Sequence, residues 1–554
     1  MPRHPGSPGY AELCFAVGYR LHMTGLRLEG RVIYQLDPAT FFDSDGDGSG
    51  DLQGVLRHLD HVRAVGADTI WLQPFYVSPY LDGGYDVVDH CGVSARFGTM
   101  ADFEELVERC HQLGLAVLVE LVVQHTSTDH PWFRAARADP ASPYRDFYVW
   151  AAEPGDDPVV SEPVFPGVED SIWEYDEVAG MYYRHAFYRH EADLNVGHPA
   201  VRAEIGKIIR FWLERGVDGF RVDAVPYMVR QAAVEDGRDD GYWFLTELCA
   251  AAGDAPLMGE VDAPPEQYRD YFGAGDRLHA VLDFWVNNLL FLALARGDAE
   301  PLRRALHQQP EPPRNGTYVN WLRNHDELDL ERLEPNERDE VLATFAPEEE
   351  MRAFGRGIRR RLAPMLGDER RIAAAQAVIE ALPGVPVVRY GDEIGMGDDL
   401  SLPDRAAVRT PMQWSDDENA GFSKARPEFV EPAPIEAGRY AAARVNVADQ
   451  ELRPGSLLSR VSQLVQQRRE LGPLPMRRCE AIPFEARSVL GVLHHRDHDA
   501  VLMLVNLCPD EVQVQTQYAV QADLLADRTY ASAADGEIQL AGYGYRWLRV
   551  QPDG

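Results

Sequence analysis

The sequence has few cysteines and no long apolar run. Its six cysteines stand far apart, without CxxC or another spacing that binds a metal. No apolar stretch approaches the roughly 20 residues of a membrane span, and the one at 13–17 is too short for a secretory signal. These absences predict a cytoplasmic protein with reduced thiols.

Positive charge is also scarce. The chain has 54 Lys and Arg against 89 Asp and Glu, which gives a formal net charge of −35 at pH 7. Such a protein repels nucleic acid and anionic membranes, so neither is expected as a partner. A small substrate with little or no charge fits better. The oligomeric state stays unknown from the sequence.

Short β-branched runs alternate with amphipathic stretches along most of the chain. Strands are predicted at 32–36, 69–72, 116–123, 218–222, 257–260, 280–284, 318–322 and 385–390. This alternation predicts an α/β fold, and its eight repeats favour a closed (β/α)8 TIM barrel. An open, doubly wound sheet is the alternative.

Two insertions and a change of character divide the chain. Residues 126–199 are polar and rich in aromatic residues and are expected to form a subdomain inserted after the third strand. A second insertion at 327–371 is highly charged and helical in pattern. The predicted organisation is an N-terminal extension (1–28), a catalytic barrel (29–455) that contains the 126–199 subdomain, and a C-terminal antiparallel β domain (456–554).

Three carboxylates close separate fragments of the predicted barrel: Asp223, Glu260 and Asp326. The carboxyl ends of the strands are where barrel enzymes do their chemistry. Retaining cleavage of a glycosidic bond needs a nucleophile and a proton donor roughly 5 Å apart. The three fragments therefore predict one active site for an acetal bond.

The neighbours of these carboxylates suggest how the work is divided. Arg221 lies two positions before Asp223 on one strand, so it faces the same side and keeps the aspartate ionised. Glu260 ends an apolar strand, where loss of water raises a carboxyl pKa toward that of a proton donor. Asp326, next to His325, supplies negative charge to an oxocarbenium-like transition state.

Around these residues, from about 31 to 419, the chain resembles glycoside hydrolase family 13, the α-amylase family. The matching motifs are 84–86, His125, 217–223, 259–260 and 324–326. The resemblance implies that Asp223 is the nucleophile, Glu260 the acid/base and Asp326 the transition-state stabiliser, with Arg221 orienting the nucleophile.

The same resemblance implies the sugar contacts. His125 and His325 would contact sugar hydroxyls, and Tyr85 would form a stacking floor for the first glucose. Asp86 would bind the non-reducing end of that glucose, paired with Arg409.

Four further segments resemble the trehalose synthase and oligo-1,6-glucosidase group: 191–195, 357–364, 391–397 and 408–414. The residue after the nucleophile is Ala224, and in this group a small residue there accompanies a preference for α-1,4-type bonds. Three functions stay open: maltose/trehalose interconversion, hydrolysis by an exo-acting α-glucosidase, and a non-catalytic carbohydrate-binding relative. The first two share every catalytic residue and differ in how well the pocket excludes water.

A loop after the first strand carries carboxylates at alternate positions. Its spacing suits a hard cation that prefers oxygen ligands, and the alternative is an Asx-rich turn without metal. The resemblance implies structural Ca²⁺, and no organic cofactor is expected. The implied ligands are the side chains of Asp43, Asp45, Asp47 and Asp51 and the carbonyl of Ser49.

One segment departs from the family pattern. Where the family has Asp, then Asn, then His, this chain has Glu120, Gln124 and His125. The first two side chains are longer by one methylene, which puts in doubt a second metal site and the support beneath the sugar pocket.

Overall fold

The computed structural model describes residues 25–236, 240–533 and 535–551. Eight parallel strands close into a barrel in which every strand pairs with its neighbours in sequence, the last with the first. They are β1 (Ile33–Leu36), β2 (Thr69–Leu72), β3 (Ala116–Leu121), β4 (Gly219–Val222), β5 (Leu257–Val261), β6 (Ala280–Asp283), β7 (Thr317–Trp321) and β8 (Val385–Arg389). The predicted TIM barrel is confirmed.

Helices cover the outside of the barrel. The principal ones are Leu52–Arg57, Leu59–Val65, Met100–Gln112, Pro199–Leu213, Val225–Asp236, Trp243–Ala252, Phe284–Arg296, Glu300–Gln308, Pro335–Phe345, Glu369–Ala381 and Leu457–Leu471. In the helix Met100–Gln112, Thr99 forms a capping box with Asp102. Its buried face consists of Phe103, Leu106, Val107 and Cys110, as the spacing predicts.

The barrel interior is packed with apolar side chains. Ile33, Trp71, Leu118 and Met258 belong to one buried cluster there. Leu26 and Leu28, which precede β1, join the same cluster. Most of the predicted N-terminal extension, residues 1–24, lies outside the described residues, as does Cys14. Within the described part, no helix has the length and apolar character to cross a membrane.

The subdomain after β3 contains a small antiparallel sheet of Trp150–Ala151, Trp173–Asp176 and Met181–Arg184. It also contains the helix Pro131–Ala138 and a short ladder between His125–Ser127 and Glu191–Asp193. This ladder places the 191–195 segment directly beside His125.

The second insertion differs from its helical prediction. Pro335–Phe345 is a helix, but Arg352–Ala353 and Gly357–Ile358 are strands of a three-stranded sheet with Leu328–Asp329. The charged residues in the latter half bind specific partners: Arg359 donates to the carbonyl of Leu400, and Arg360 pairs with Asp398. Tertiary contacts therefore override the local helical pattern.

The chain ends in an antiparallel β domain, as predicted. Five strands form one sheet in the order Cys479–Ile482, Val489–His495, Ala500–Asn506, Tyr545–Gln551 and Ala519–Ala526. Val512–Gln515 and Glu537–Leu540 form a second, two-stranded sheet. His494 joins this domain to the barrel, because its ring lies 2.8 Å from the carbonyl oxygen of Ala381 on a barrel helix.

Candidate active site

The three predicted carboxylates lie at the carboxyl ends of barrel strands. Asp223 follows β4 directly, Glu260 lies within β5, and Asp326 follows β7. Strands β4 and β5 are neighbours, with Val222 opposite Gly259. A Cβ on Gly259 would come within 2.4 Å of Leu278, so glycine allows the close packing behind the glutamate.

One guanidinium joins the nucleophile and the proton donor that the sequence predicts. Arg221 is fully buried, and its Nη1 contacts Asp223 Oδ1 at 2.5 Å. Its Nη2 lies 2.7 Å from Glu260 Oε1. The two carboxylates are therefore held at adjacent nitrogens of one planar group, in keeping with the short separation, roughly 5 Å, that a retaining mechanism uses.

Glu260 has the environment of an acid that keeps its proton. The amide of Ala224 donates to its Oε2 at 2.9 Å. Burial raises the pKa of Glu260 to about 8, opposed by Arg221 and reinforced by Asp223 and Asp326. The side chain is therefore largely protonated near neutral pH.

Asp326 has the opposite character. Its Oδ1 lies 3.1 Å from Arg409 Nη2 and 3.2 Å from Arg405 Nη1. Burial raises the pKa of Asp326, but the charges of Arg405 and Arg409 outweigh it and hold the pKa well below the usual value. This carboxylate is therefore ionised near neutral pH.

Tyr85 and His325 form a stacked floor beside the carboxylates. Their ring centroids are 5.3 Å apart with an interplanar angle of 7°. Gln35 Nε2 donates to His325 Nδ1 at 2.9 Å, which leaves the imidazole proton on Nε2, 2.7 Å from Tyr85 Oη. Burial holds the pKa of His325 well below its usual value, so the ring is neutral.

Asp86 does not have the partner that the sequence suggests. It is fully buried and accepts from Ser78 Oγ at 2.7 Å and from the amide of Leu81 at 3.0 Å. Arg409 instead lies 3.7 Å from Asp82 Oδ1 and binds Asp326. The pairing of Asp86 with Arg409 is absent here because Asp82, four residues earlier, lies nearer the guanidinium.

The residues that depart from the family pattern are built into the site. Glu120 Oε2 lies 2.9 Å from Arg221 Nη1, the same nitrogen that contacts Asp223. Gln124 Oε1 lies 2.8 Å from the Nδ1 of His125, whose Nε2 is 3.1 Å from the carbonyl oxygen of Tyr85. The longer side chains therefore still support Arg221 and His125.

Arg405 is a site residue that the motifs did not reveal. Besides Asp326, it binds Glu327 Oε2 at 2.8 Å through Nε. It lies in the short 3-10 helix Asp404–Val408, and Arg409 caps the carboxyl end of that helix. No sequence motif points to Arg405, because its contact with Asp326 depends on how the loop after β8 folds.

A cavity of about 300 Å³ opens beside the carboxylates. Its lining includes Ala224, Tyr227, Glu260, Asp262, Asp326 and Arg405. Arg405, which lines this cavity, also belongs to an aromatic cluster, here called the roof, with Phe165, Tyr188 and Phe354. The ring centroid of Phe165 lies 4.5 Å from that of Tyr188 and 4.7 Å from that of Phe354. The guanidinium carbon of Arg405 lies 4.4 Å from the Phe165 centroid.

The loop after β1 brings three of its four aspartates together. Oxygens of Asp43, Asp45 and Asp51 lie within 4.8 Å of one another, whereas Asp47 is outside this group. Burial and the neighbouring carboxylates of Asp47, Asp51 and Asp43 raise the pKa of Asp45. Converging oxygens that repel one another fit the donor set of a hard cation. The hydroxyl of Ser49 accepts from Arg96 Nε at 2.7 Å.

Known proteins resemble this chain over most of its length. Residues 35–334 and 358–474 match the family model for the alpha amylase catalytic domain. Residues 486–548 match the model for the D-apionate lactonase C-terminal immunoglobulin-like domain.

The first similar protein is a trehalose synthase from Thermus thermophilus, 40% identical over 88% of this chain and 51% of that protein, so the chain spans about half its length. The trehalose synthase/amylase TreS of Mycobacterium tuberculosis (strain H37Rv) is 37% identical over 94% of this chain and 89% of its own. An oligo-1,6-glucosidase from Parageobacillus thermoglucosidasius is 30% identical over 72% of this chain and 76% of its own length.

Proposed function

The chain belongs to the α-amylase family, glycoside hydrolase family 13, and on that premise we propose that it interconverts maltose and trehalose through a covalent glucosyl-enzyme. The observation that carries the proposal is the shared guanidinium of Arg221. It holds the nucleophile, Asp223, beside a protonated acid, Glu260. The similarity to trehalose synthases over most of the chain supports the choice of substrate.

In the first step, a carboxylate oxygen of Asp223 attacks C1 of the non-reducing glucose of maltose. Glu260 gives its proton to the glycosidic oxygen as the C1–O bond breaks, so glucose leaves as a neutral molecule. The positive charge that develops at C1 and the ring oxygen is stabilised by Asp326, which two arginines keep ionised. Tyr85 supplies an apolar surface for the sugar ring.

In the second step, the released glucose turns and its anomeric hydroxyl attacks C1 of the glucosyl-enzyme. Glu260, now ionised, takes the proton of that hydroxyl, and Asp223 leaves as a carboxylate. Two inversions at C1 give retention, and the product is the α,α-1,1-linked disaccharide. The cavity of about 300 Å³ beside Glu260 is where the released glucose would be held.

Hydrolysis is the second candidate. Water that attacks the same intermediate yields two glucose molecules, and every protein group keeps its role. The Glu260 side chain retains 21% exposure, which favours some entry of water. The roof, which reaches the cavity through Arg405, opposes the entry of water, since Phe165 is fully buried against Phe354 and Tyr188.

The proposal includes a structural Ca²⁺ in the loop after β1. Asp43, Asp45 and Asp51 would hold it with side-chain oxygens, and Asp47 and the carbonyl of Ser49 are the remaining predicted ligands. The ion would neutralise converging carboxylates and fix the turn that follows β1. It would take no part in the chemistry, because the loop contributes none of the three catalytic carboxylates.

Incubation with maltose tests the proposed function. Trehalose as the main product, with glucose as the minor one, is the expected result, and chromatography separates the three sugars. Labelled glucose added to the mixture should enter trehalose only slightly if the released glucose stays in the cavity. Glucose as the sole product would show that the protein is a hydrolase and not an isomerase. If neither maltose nor trehalose is turned over, both candidate functions are refuted.

A further inference from the structure

Glu120 is a buried carboxylate that the proposed reaction does not use. It lies on β3 with 1% exposure, so all its contacts are with the protein. Its Oε1 accepts hydrogen bonds from Trp71 Nε1 at 2.8 Å and from Tyr85 Oη at 2.9 Å. Its Oε2 faces Arg221 Nη1 at 2.9 Å. Glu120 thus connects the stacking floor to the central arginine.

Three carboxylates share the single positive charge of Arg221. Nη1 contacts both Glu120 and Asp223, and Nη2 contacts Glu260. Among the carboxylates that raise the pKa of Arg221 against its burial, Glu120 contributes most. In a buried site such charges interact strongly, so an ionised Glu120 leaves less of the arginine's charge for the other two.

We propose that Glu120 is a positioning residue that sets the pH range of the reaction through Arg221. When Glu120 is ionised, it offsets the guanidinium, and Glu260 keeps the proton that it must donate. The inference rests on the proposed function, because that function makes Glu260 the proton donor.

The surroundings of the two glutamates support this role. Burial raises the pKa of Glu120 to about 7, opposed by Arg221 and reinforced by Asp223. Burial raises the pKa of Glu260 to about 8. Both carboxylates contact the Arg221 guanidinium, so the negative charge of an ionised Glu120 opposes the ionisation of Glu260. The side chains of Arg221, Asp223 and Tyr85 face Glu120, Tyr76 donates to its carbonyl, and Asp326 also faces Glu260.

Two substitutions separate charge from shape. Glu120→Gln removes the negative charge, so Arg221 lowers the pKa of Glu260 further. The alkaline limb of kcat/KM should move to lower pH by on the order of one unit. Glu120→Asp keeps the charge but is one methylene shorter, so it cannot reach Arg221 and also Trp71 and Tyr85. We expect its limb to stay in place while kcat on the pH plateau falls about ten-fold or more.

The measurement is kcat/KM and kcat for maltose from about pH 5 to 10, with melting temperature as a check of folding. Glu380→Gln is the matched control. Glu380 is also fully buried, burial also raises its pKa to about 7, and it lies on the barrel helix Glu369–Ala381 beside Gln376. Its substitution should leave the alkaline limb where it is.

Each outcome decides the inference. The inference is overturned if the alkaline limb of kcat/KM in Glu120→Gln coincides with that of the wild type. It is also overturned if Glu120→Asp moves this limb equally. If Glu120→Gln does not fold, a wild-type plateau kcat in Glu120→Asp overturns it. Glu260→Gln separates the two proposals: high activity there refutes the proposed function, whereas an inactive Glu260→Gln with an unmoved Glu120→Gln limb refutes only this inference.

Discussion

At the scale of single residues, the site depends on two carboxylates with opposite preferences for a proton. Glu260 shares one guanidinium with other acids, and burial raises its pKa to about 8. Asp326 has two guanidinium groups of its own, and its pKa stays well below the usual value. The site therefore holds a protonated acid, Glu260, and a negative charge, Asp326, at the same pH, as retaining cleavage requires.

Removing either reacting carboxylate should abolish turnover without unfolding the chain. For Asp223→Ala and Glu260→Gln, we expect kcat to fall by about 10³-fold or more, because no other group supplies the bond to C1 or the proton. Steady-state kinetics with maltose and circular dichroism measure the two effects. Azide should rescue Asp223→Ala and give β-glucosyl azide, since it attacks from the face that the aspartate occupied.

Two results would contradict the roles assigned to Asp223 and Glu260. An Asp223→Ala variant that turns over maltose at the wild-type rate without azide would show that another group is the nucleophile. A Glu260→Gln variant with an unchanged kcat would show that Glu260 is not the proton donor.

At the scale of elements, the loop after β1 shows how three carboxylates are brought within 4.8 Å of one another. The amides of Gly46 and Gly48 donate to Asp43, and that of Gly54 donates to Asp51. A Cβ on Gly48 would come within 2.0 Å of the carbonyl oxygen of Phe429, so the turn requires glycine there. These hydrogen bonds and this close approach thus shape the loop.

Chelation should destabilise the protein if this loop binds Ca²⁺. With free Ca²⁺ at about 100 times its dissociation constant, binding stabilises the folded state by about 2.7 kcal/mol, and EDTA removes that contribution. Differential scanning calorimetry measures it. Asp43→Asn should make the melting temperature insensitive to EDTA. Asp60→Asn is the matched control, because Asp60 is an exposed aspartate of the helix Leu59–Val65, outside the loop, and its variant should keep the full response.

A melting temperature that EDTA leaves unchanged in the wild type would contradict the calcium site. The loop would then be an Asx-rich turn held by its own amide hydrogen bonds.

The barrel strands could be predicted because each is a short apolar run bounded by polar residues. β2 matches its predicted bounds, and the other seven match within two residues. The strands Arg352–Ala353 and Gly357–Ile358 could not be predicted, since two residues carry no periodicity. Their charged neighbours suggested a helix surface, but Arg360 finds its partner, Asp398, 38 positions along the chain.

The site was predictable where a motif carried it and not where a distant contact did. Asp223, Glu260 and Arg221 meet because adjacent barrel strands fix their spacing. Arg405 reaches Asp326 from a loop 79 positions later, and its role depends on that contact alone. The preference of Arg409 for Asp82 over Asp86 likewise depends on how the loop folds.

At the scale of the whole molecule, three separate parts of the chain close the site. Phe165 belongs to the subdomain after β3, Phe354 to the second insertion and Arg405 to the loop after β8. Arg356 of the second insertion also donates to the carbonyl of Val164 at 3.3 Å. The roof is therefore a contact between units and connects to Asp326 through Arg405.

Opening the roof should shift the product from trehalose to glucose. Phe165→Ala removes the ring that contacts Phe354, Tyr188 and Arg405. Water then reaches the glucosyl-enzyme more often, and we expect the ratio of glucose to trehalose from maltose to rise about five-fold or more. Phe429→Ala is the control, since Phe429 is 58% exposed and not part of the roof. An unchanged ratio in Phe165→Ala would mean that other groups exclude water.

The way Arg221 meets its partners restricts what can replace it. A lysine carries the same charge, but it ends in one compact ammonium and cannot present two nitrogens in a fixed plane to carboxylates on different strands. Position 221 therefore needs the geometry of arginine as much as its charge. Any mutation at one of the acids around it is transmitted to the other two, so substitutions among these four residues should be strongly non-additive.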